Sequence, residues 1–222
     1  RITAVPCHHE QACGIAAEAW GRVAGKFGVA MVTTGPGATN IITPVAGAWI
    51  ESVPMLVISG QVKRADLLLD RPLRQGGVQE VDIVPIVRSI TKYAVTVHDP
   101  ATIRYHLERA LHEMQDGRSG PVWLDIPLDV QAAQIDPAEL TGYIPEEKAL
   151  PNLGAQIQRT LDLLATSERP LLLAGHGVRL AGAAKRFLAL AESLDIPVAT
   201  TWNALDLIPW AHPLCIGRPG VV

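Results

Sequence analysis

The sequence predicts an α/β protein with doubly wound parallel sheets and flanking helices, and two patterns carry this prediction. Apolar runs that lack alternation of polar and apolar residues recur along the chain, as expected for strands buried on both faces of a parallel sheet. Segments with apolar residues at helical spacing separate these runs. Strands and helices that alternate in this way form parallel sheets with right-handed crossovers and with helices on the faces.

The predicted strands are short, and most of them end at a glycine or a proline, residues that interrupt regular structure. These strands cover residues 27–34, 54–59, 121–126, 170–174 and 196–200. The amphipathic segments between them predict helices over residues 11–24, 39–51, 101–114, 156–165 and 182–193.

A change in composition predicts two domains. Residues 131–152 are rich in proline and acidic residues and have no strong period, which is typical of a linker. The domains are then residues 1–130 and 153–222. The second contains only two predicted strands, too few to bury two layers of helices, and the chain begins without Met. We therefore expect both ends to be cut from a larger protein.

The composition excludes several classes of protein. The chain has 48% hydrophobic residues, a net charge of −3 and a pI near 6.2, so it offers neither a basic field for nucleic acid nor a polybasic membrane patch. Charged residues make up 18%, below the usual ~25%, which predicts surfaces covered by other domains or subunits. The cysteines, Cys7, Cys13 and Cys215, are odd in number and scattered, which favours the reducing cytoplasm.

His8, His9 and Glu10 stand at the start of the first predicted helix. A carboxylate at a helix N-terminus stays ionised and can accept a hydrogen bond, which makes Glu10 a candidate for acid–base chemistry. A zinc site of the His-Glu-x-x-His type would need a second histidine where Cys13 stands. An ordinary acidic residue in a first helical turn is the alternative interpretation.

Two glycine-containing turns follow predicted strands. Residues 34–40 (TGPGATN) allow close approach of a ligand to the backbone and present the N–H groups of a helix start, but they lack the Lys-Ser/Thr pair of a P-loop. A simple tight turn is the alternative. Residues 175–182 partly match a dinucleotide fingerprint, yet the third glycine is misplaced, which favours a plain strand-to-helix turn.

The order of five motifs is more specific than any one of them. They are HEQA at 9–12, TGPGATN at 34–40, ISGQV at 58–62, VQEVDIV at 78–84 and GPVWLDIP at 120–127. In this order they resemble the pyrimidine-binding domain of thiamine-diphosphate-dependent enzymes, with acetolactate synthase large subunits as the most similar pattern. The resemblance extends over residues 7–130, and residues 153–198 are similar to the start of that family's central domain.

The resemblance implies a 2-oxo acid carboligase, which decarboxylates pyruvate or a related 2-oxo acid and transfers the enamine to a second carbonyl. In this family the glutamate matching Glu10 hydrogen-bonds N1′ of the cofactor's aminopyrimidine and thereby assists loss of the thiazolium C2 proton. Gln79 matches a substrate-side glutamine, so Glu10 and Gln79 are the implied catalytic residues. Val78 replaces the family's phenylalanine, which enlarges that side of the pocket.

The resemblance also implies cofactor-binding positions. Arg118 matches an arginine that contacts FAD in acetolactate synthases, whereas Leu128 replaces the lysine of the family's next motif, so FAD is an open alternative. This chain carries no implied metal ligand, because Mg²⁺ and the diphosphate are held by a Gly-Asp-Gly…Asn motif that it does not contain. The implied cofactor-binding residues are Glu10, Pro36, Gly37, Asn40, Gln61 and Arg118.

Family members of this kind place the active site at a subunit interface, so the resemblance implies a homodimer or homotetramer and an inactive chain when alone. One alternative function is another thiamine-diphosphate-dependent decarboxylase or a C–C bond hydrolase. A non-catalytic binding module is a further alternative, which the retained Glu10, Gln61 and Gln79 disfavour. A nicotinamide-binding domain lacks the proper glycine spacing.

Overall fold

A computed structural model describes residues 2–69, 71–146 and 152–220. The chain divides into two compact units, Arg1–Glu146 and Glu147–Val222. This division falls within residues 131–152, although the predicted domain boundaries at 130 and 153 stay predictions. None of the described helices is long and apolar enough to cross a membrane.

The first unit contains a four-stranded parallel sheet with the order β1-β2-β4-β3. Three of these strands coincide with predicted apolar runs, whereas β3 was not predicted from the sequence. It lies at the edge of the sheet, is only half-buried along its length and has only three consecutive apolar residues. The strands are β1 (Gly28–Val32), β2 (Met55–Gln61), β3 (Tyr93–Thr96) and β4 (Val122–Pro127).

The three predicted helices of the first unit are present, but the one near Pro44 is divided, and two short helices, Ile83–Val87 and Leu128–Gln131, were not predicted. One helix was predicted over residues 39–51, but the structure has two, which meet at Ile41. Proline has no N–H to donate to the carbonyl four residues before it, so Pro44 is tolerated only in the first turn of a helix that begins at Ile42. The helices are α1 (Glu10–Ala24), α2 (Pro36–Asn40), α3 (Ile42–Ile50), α4 (Ile83–Val87), α5 (Ile103–Gln115) and α6 (Leu128–Gln131).

The two faces of the sheet carry separate apolar clusters, which confirms the predicted α/β class with helices on both faces. Successive residues of a strand point to opposite faces. Met55 and Val57 accordingly belong to the cluster that includes residues of α1, α3 and α4, whereas Leu56 and Ile58 belong to the cluster formed with α5.

Strand β1 corrects the expectation that every strand is buried on both faces. Ala30 is buried, but Val29 and Met31 on the other face are 47% and 73% exposed. Helix α5 covers that face, and it packs on β2, β3 and β4. Because β1 is the opposite edge strand, its side chains on this face lie beyond the reach of α5 in the described part of the unit.

Helix α1 packs unusually close to β1 because its buried face is built from small residues. The helix begins after His9, whose Nδ1 accepts a hydrogen bond from the Gln11 backbone N–H at 3.1 Å, and it ends at Gly25 in the left-handed conformation. A Cβ atom at Gly28 would lie 1.8 Å from the carbonyl oxygen of Ala17. Position 28 therefore has no space for a side chain between α1 and β1.

The second unit contains a three-stranded parallel sheet with the order β5-β6-β7. Its third strand was not predicted, because it is short and follows a turn-rich segment. The buried core of this unit includes Ala174, Ala191, Val198 and Ile208. The elements are α7 (Leu153–Thr166), β5 (Leu172–Ala174), α8 (Gly177–Leu180), α9 (Ala184–Leu194), β6 (Val198–Thr200) and β7 (Cys215–Gly217).

Candidate functional site

Most of the predicted site residues meet at one edge of the first sheet. The strands are parallel, so their carboxyl ends lie along the same edge, where ligands of open α/β sheets usually bind. Helix α1 runs back toward the start of β1, which brings its first turn to this edge. The residues gathered here are Glu10, Pro36, Gly37, Asn40, Gln61 and Gln79.

Glu10 and Asn40, 30 residues apart in the sequence, form the polar centre of the group. Asn40 Nδ2 donates a hydrogen bond to Glu10 Oε2 at 3.1 Å. This hydrogen bond is the main reason why the pKa of Glu10 lies below its usual value. The Glu10 carboxylate is therefore ionised at neutral pH and can accept a further proton or hydrogen bond from a ligand.

The segment that leads from β1 into the first turn of α2 needs glycine at two positions. A Cβ atom at Gly37 would lie 2.7 Å from Thr33 Cγ2 and 3.7 Å from Glu10 Cγ. Gly35 has φ 56° and ψ −110°, a conformation suited to glycine, and a Cβ atom there would lie 1.8 Å from the Gln79 carbonyl oxygen. Pro36 then begins α2, where its missing N–H costs no helical hydrogen bond.

Gln79 joins the group through its backbone, which lies against Gly35. It has φ 60°, a left-handed conformation that is uncommon for a residue with a side chain. Its side chain is exposed, and the neighbouring Val78 is 86% exposed. The structure therefore brings both residues to the site without packing their side chains into the core.

Glu80 holds the loop that precedes these residues. Its carboxylate accepts hydrogen bonds from the backbone N–H groups of Leu68, Gly76 and Gly77, the last two at 2.7 and 2.9 Å. Burial alone would raise the pKa of Glu80, but these donors, with the charge of Arg71, outweigh burial and lower the pKa. No motif in the sequence had indicated a role for this residue.

Replacing Glu80 by glutamine is expected to destabilise the protein by about 1–3 kcal/mol, since a neutral amide cannot accept three hydrogen bonds as a carboxylate does. The loss should appear in chemical denaturation and as faster hydrogen exchange at the Gly76 and Gly77 amides. The lowered pKa of Glu80 stabilises the fold above the unfolded-state pKa, and this contribution is lost as the pH falls through the folded-state pKa. Glu139→Gln, an exposed matched control, should change neither quantity; equal effects of both variants would contradict the assignment.

Gln61 is 5% exposed and makes four hydrogen bonds, the full capacity of its amide. Its Oε1 accepts from the Thr34 hydroxyl and from the Val62 N–H, both at 2.9 Å. Its Nε2 donates to the Val81 carbonyl at 2.9 Å and to Asp125 Oδ2 at 3.0 Å. The side chain thus connects the turn after β1 with the segment after Gln79.

A buried polar group in contact with Gln61 is absent from the predicted site residues. Asp125 is 1% exposed and accepts hydrogen bonds from the Ser59 and Thr96 hydroxyls, while Trp123 Nε1 donates to Ser59 Oγ at 2.8 Å. Burial raises the pKa of Asp125 to about 6 against the effect of these hydrogen bonds, and the charge of Asp82 adds to the rise. An aspartate inside an apolar strand was the available signal, because a buried carboxylate needs donors around it.

Arg118 does not join the group. Its Nε donates to Ser52 Oγ at 2.7 Å, and Ser52 lies between the end of α3 and the start of β2, at the amino edge of the sheet. Leu128 instead lies at the carboxyl edge and is 53% exposed. The two positions on which the FAD interpretation depends are therefore at opposite edges of the sheet.

A mainly apolar cavity of about 460 Å³ adjoins the group at the carboxyl edge. Thr34 and Gln61 are among its polar lining residues, and Met31, Ile58, Ile126 and Leu128 are among its apolar ones. Among the described residues, no group of three or more His, Cys, Asp or Glu side chains could hold a metal ion.

Two family models match the chain in succession. The N-terminal TPP binding domain of thiamine pyrophosphate enzymes matches residues 1–86, and the central domain of the same enzymes matches residues 157–222. Thiamine pyrophosphate (TPP) is another name for thiamine diphosphate. The first match contains Glu10, the glycine turn and Gln79.

Curated relatives agree with these matches. The chain is 39% identical over 226 residues to the acetolactate synthase large subunit of Corynebacterium glutamicum and 39% identical over 221 residues to the acetolactate synthase of Arthrospira platensis, alignments that cover 100% and 96% of the chain. A probable acetolactate synthase large subunit of Methanocaldococcus jannaschii is 38% identical over 96% of the chain. The chain spans 35–37% of the length of these relatives. With two consecutive domains of one enzyme family matched in their family order, the chain belongs to the thiamine pyrophosphate enzymes.

Proposed function

We propose that this chain is part of a thiamine-diphosphate-dependent carboligase of the acetolactate synthase type. Such an enzyme decarboxylates pyruvate or a related 2-oxo acid and transfers the resulting two-carbon or larger unit to a second carbonyl. The observation that carries the proposal is the ionised Glu10 carboxylate, oriented by Asn40 beside a glycine turn. The names of the relatives support the choice of reaction.

The site residues fit a ring with a basic nitrogen and an amino group. We assign to Glu10 the role of sharing a proton with the ring nitrogen. An ionised carboxylate at a helix N-terminus can accept a hydrogen bond from the protonated nitrogen. Asn40 keeps the carboxylate in place, and Gly37, which has no side chain, lets the turn pack closely against Thr33 next to Glu10. Bound thiamine diphosphate would supply the thiazolium that accepts electrons during decarboxylation.

The other predicted residues receive supporting roles in this proposal. Pro36 and Gly37 shape the surface against which the ring lies, and the exposed Gln79 faces the 2-oxo acid. Because all four hydrogen-bonding positions of Gln61 are used by the protein, we assign this residue to holding the cofactor turn in place. The exposed Val78 leaves space for a substrate larger than pyruvate.

We further propose the setting of the complete enzyme. Mg²⁺ and the diphosphate would be held outside this chain, the active site would lie between subunits of a homodimer or homotetramer, and the enzyme would act in the cytoplasm. Arg118 would contact FAD if a flavin is bound. The visible absorption of the purified full-length protein decides that point, since flavin absorbs there and thiamine diphosphate does not.

Product analysis tests the reaction. The full-length protein is incubated with pyruvate, thiamine diphosphate and Mg²⁺, and the products are identified by NMR. A carboligase is expected to form acetolactate, whereas formation of acetaldehyde alone would replace the proposal with a decarboxylase. If pyruvate is not consumed, the larger 2-oxo acids for which Val78 leaves room are tested next, and absence of any carboligation product would overturn the proposal.

A further inference from the structure

The hydrogen bonds beneath the site form one chain that converges on Asp125 from two sides. The Trp123 indole N–H can only donate, so Ser59 Oγ accepts from it and the Ser59 hydroxyl hydrogen must point to another acceptor. That acceptor is Asp125 Oδ1. The other carboxylate oxygen of Asp125 accepts from Gln61 Nε2 at 3.0 Å. Asp125 thus receives hydrogen bonds from both sides.

Three partners of fixed polarity determine how the Gln61 amide is turned. The Val62 backbone N–H can only donate and faces Oε1, whereas the Val81 carbonyl and the Asp125 carboxylate accept and face Nε2. With Oε1 directed away from Asp125, the Thr34 hydroxyl must donate to it. The lone pairs of the Thr34 hydroxyl oxygen are then not used by Gln61, and Thr34 is one of the residues that line the cavity.

We propose that Asp125 is a positioning residue of the site: together with the backbone groups of Val62 and Val81 it fixes the orientation of the Gln61 amide, which joins the turn at Thr34 to the segment at Val81 and makes the Thr34 oxygen a hydrogen-bond acceptor toward the ligand. The part of this proposal that concerns catalysis rests on the proposed function. Thr34 directly precedes the glycine turn next to Glu10, and Val81 follows Gln79 by two residues. The Gln61 amide therefore sets the separation of the two segments that border the cofactor position.

The burial of Asp125 gives the arrangement its rigidity. A carboxylate that is 1% exposed cannot exchange its donors for water, so Ser59 and Gln61 are held as long as Asp125 is ionised. Asparagine has the same shape but presents an N–H₂ group to one of these donors. Asp125→Asn therefore removes one of the hydrogen bonds that the carboxylate accepts, with little change in side-chain volume.

A first measurement uses the unmodified protein and needs no activity. Both Gln61 side-chain N–H protons and the Val62 amide are expected to exchange slowly with solvent in NMR spectra. In Asp125→Asn the same protons should exchange faster. Rapid exchange of the Gln61 protons in the unmodified protein would overturn the proposal, and this result does not depend on the identity of the substrate or on the folding of any variant.

A double-mutant cycle separates positioning from a purely structural role. Asp125→Asn is expected to lower kcat about tenfold in the otherwise unmodified full-length protein, the effect of losing one charge-assisted hydrogen bond that orients its partner. In a Gln61→Ala background the same change should lower kcat less than about twofold, because Asp125 acts through Gln61. An equal loss in both backgrounds would overturn the proposal.

Thr96→Val provides the matched control. It removes the longer hydrogen bond, 3.3 Å, to the same carboxylate oxygen of Asp125 without involving Gln61. We expect kcat and the exchange of the Gln61 protons to stay unchanged in this variant; a tenfold loss of kcat there would contradict a role exerted through Gln61. If the full-length protein has no thiamine-diphosphate-dependent activity, the proposed function fails, while the exchange measurement still decides the role of Asp125.

Discussion

Replacing Glu10 by glutamine is expected to lower turnover by about 10²–10⁴-fold, the contribution typical of a positioned acid–base group. Glutamine can still accept the hydrogen bond from Asn40, so the local fold should persist. A neutral amide cannot hold the proton that the Glu10 carboxylate would share with the ring. The measurement is kcat of the full-length protein together with NMR of proton exchange at C2 of the bound cofactor.

Glu18→Gln is the control for this experiment. Glu18 lies on the same helix α1, where it pairs with Arg22 away from the site. An exposed or partly exposed pair of this kind contributes little, so turnover and C2 exchange should be unchanged. If Glu10→Gln left C2 exchange at the rate of the unmodified protein, the role assigned to Glu10 would be wrong.

Replacing Gly35 by alanine is expected to cost roughly 3–4 kcal/mol of stability and to disturb the site at the same time. The added Cβ atom would lie 1.8 Å from the Gln79 carbonyl oxygen, a backbone atom that cannot move without displacing the loop. The backbone of Gly35, at φ 56° and ψ −110°, is also unfavourable for alanine. Chemical denaturation measures the loss, and kcat should fall because Gln79 is displaced.

Gly25→Ala separates the clash from the backbone strain. Gly25 also has a positive φ, 63°, but a Cβ atom there would meet nothing within 4 Å. This substitution should cost only roughly 1–2 kcal/mol, the price of a left-handed residue, and should leave kcat unchanged. Equal destabilisation by the two variants would show that the contact between Gly35 and Gln79 is unimportant.

The strands and helices with strong local patterns were predictable from the sequence. The apolar runs that form β1, β2 and β4 are buried in the centre of the sheet or on one face of it. Their apolar composition therefore indicates that they are buried strands. Strand β3 was missed because an edge strand that is half-buried has no such composition. The exposed face of β1 was missed because burial there depends on which helix covers which strand.

The site was predictable to the extent that its residues follow strands or begin helices. Glu10, Asn40 and the glycine turn meet as expected from their positions at the carboxyl edge. The hydrogen-bond donors of Asp125 and Glu80 could not be predicted, because they come from residues distant in sequence or from backbone groups of a loop. The position of Arg118 at the opposite edge likewise follows from the path of the chain through α5 into β4.

By itself the sequence determined the α/β class, the parallel sheets and the family motifs, because hydrophobic periodicity and turn residues act over a few neighbouring positions. Only the tertiary structure decided that the Gln61 amide is saturated by four partners and that Asp125 lies beneath it. Parallel crossovers bring strand ends together regardless of their separation in sequence, and hydrogen bonds form between whichever groups then lie within about 3 Å. The fold at this edge of the sheet therefore decides which atoms of the site donate hydrogen bonds and which accept them.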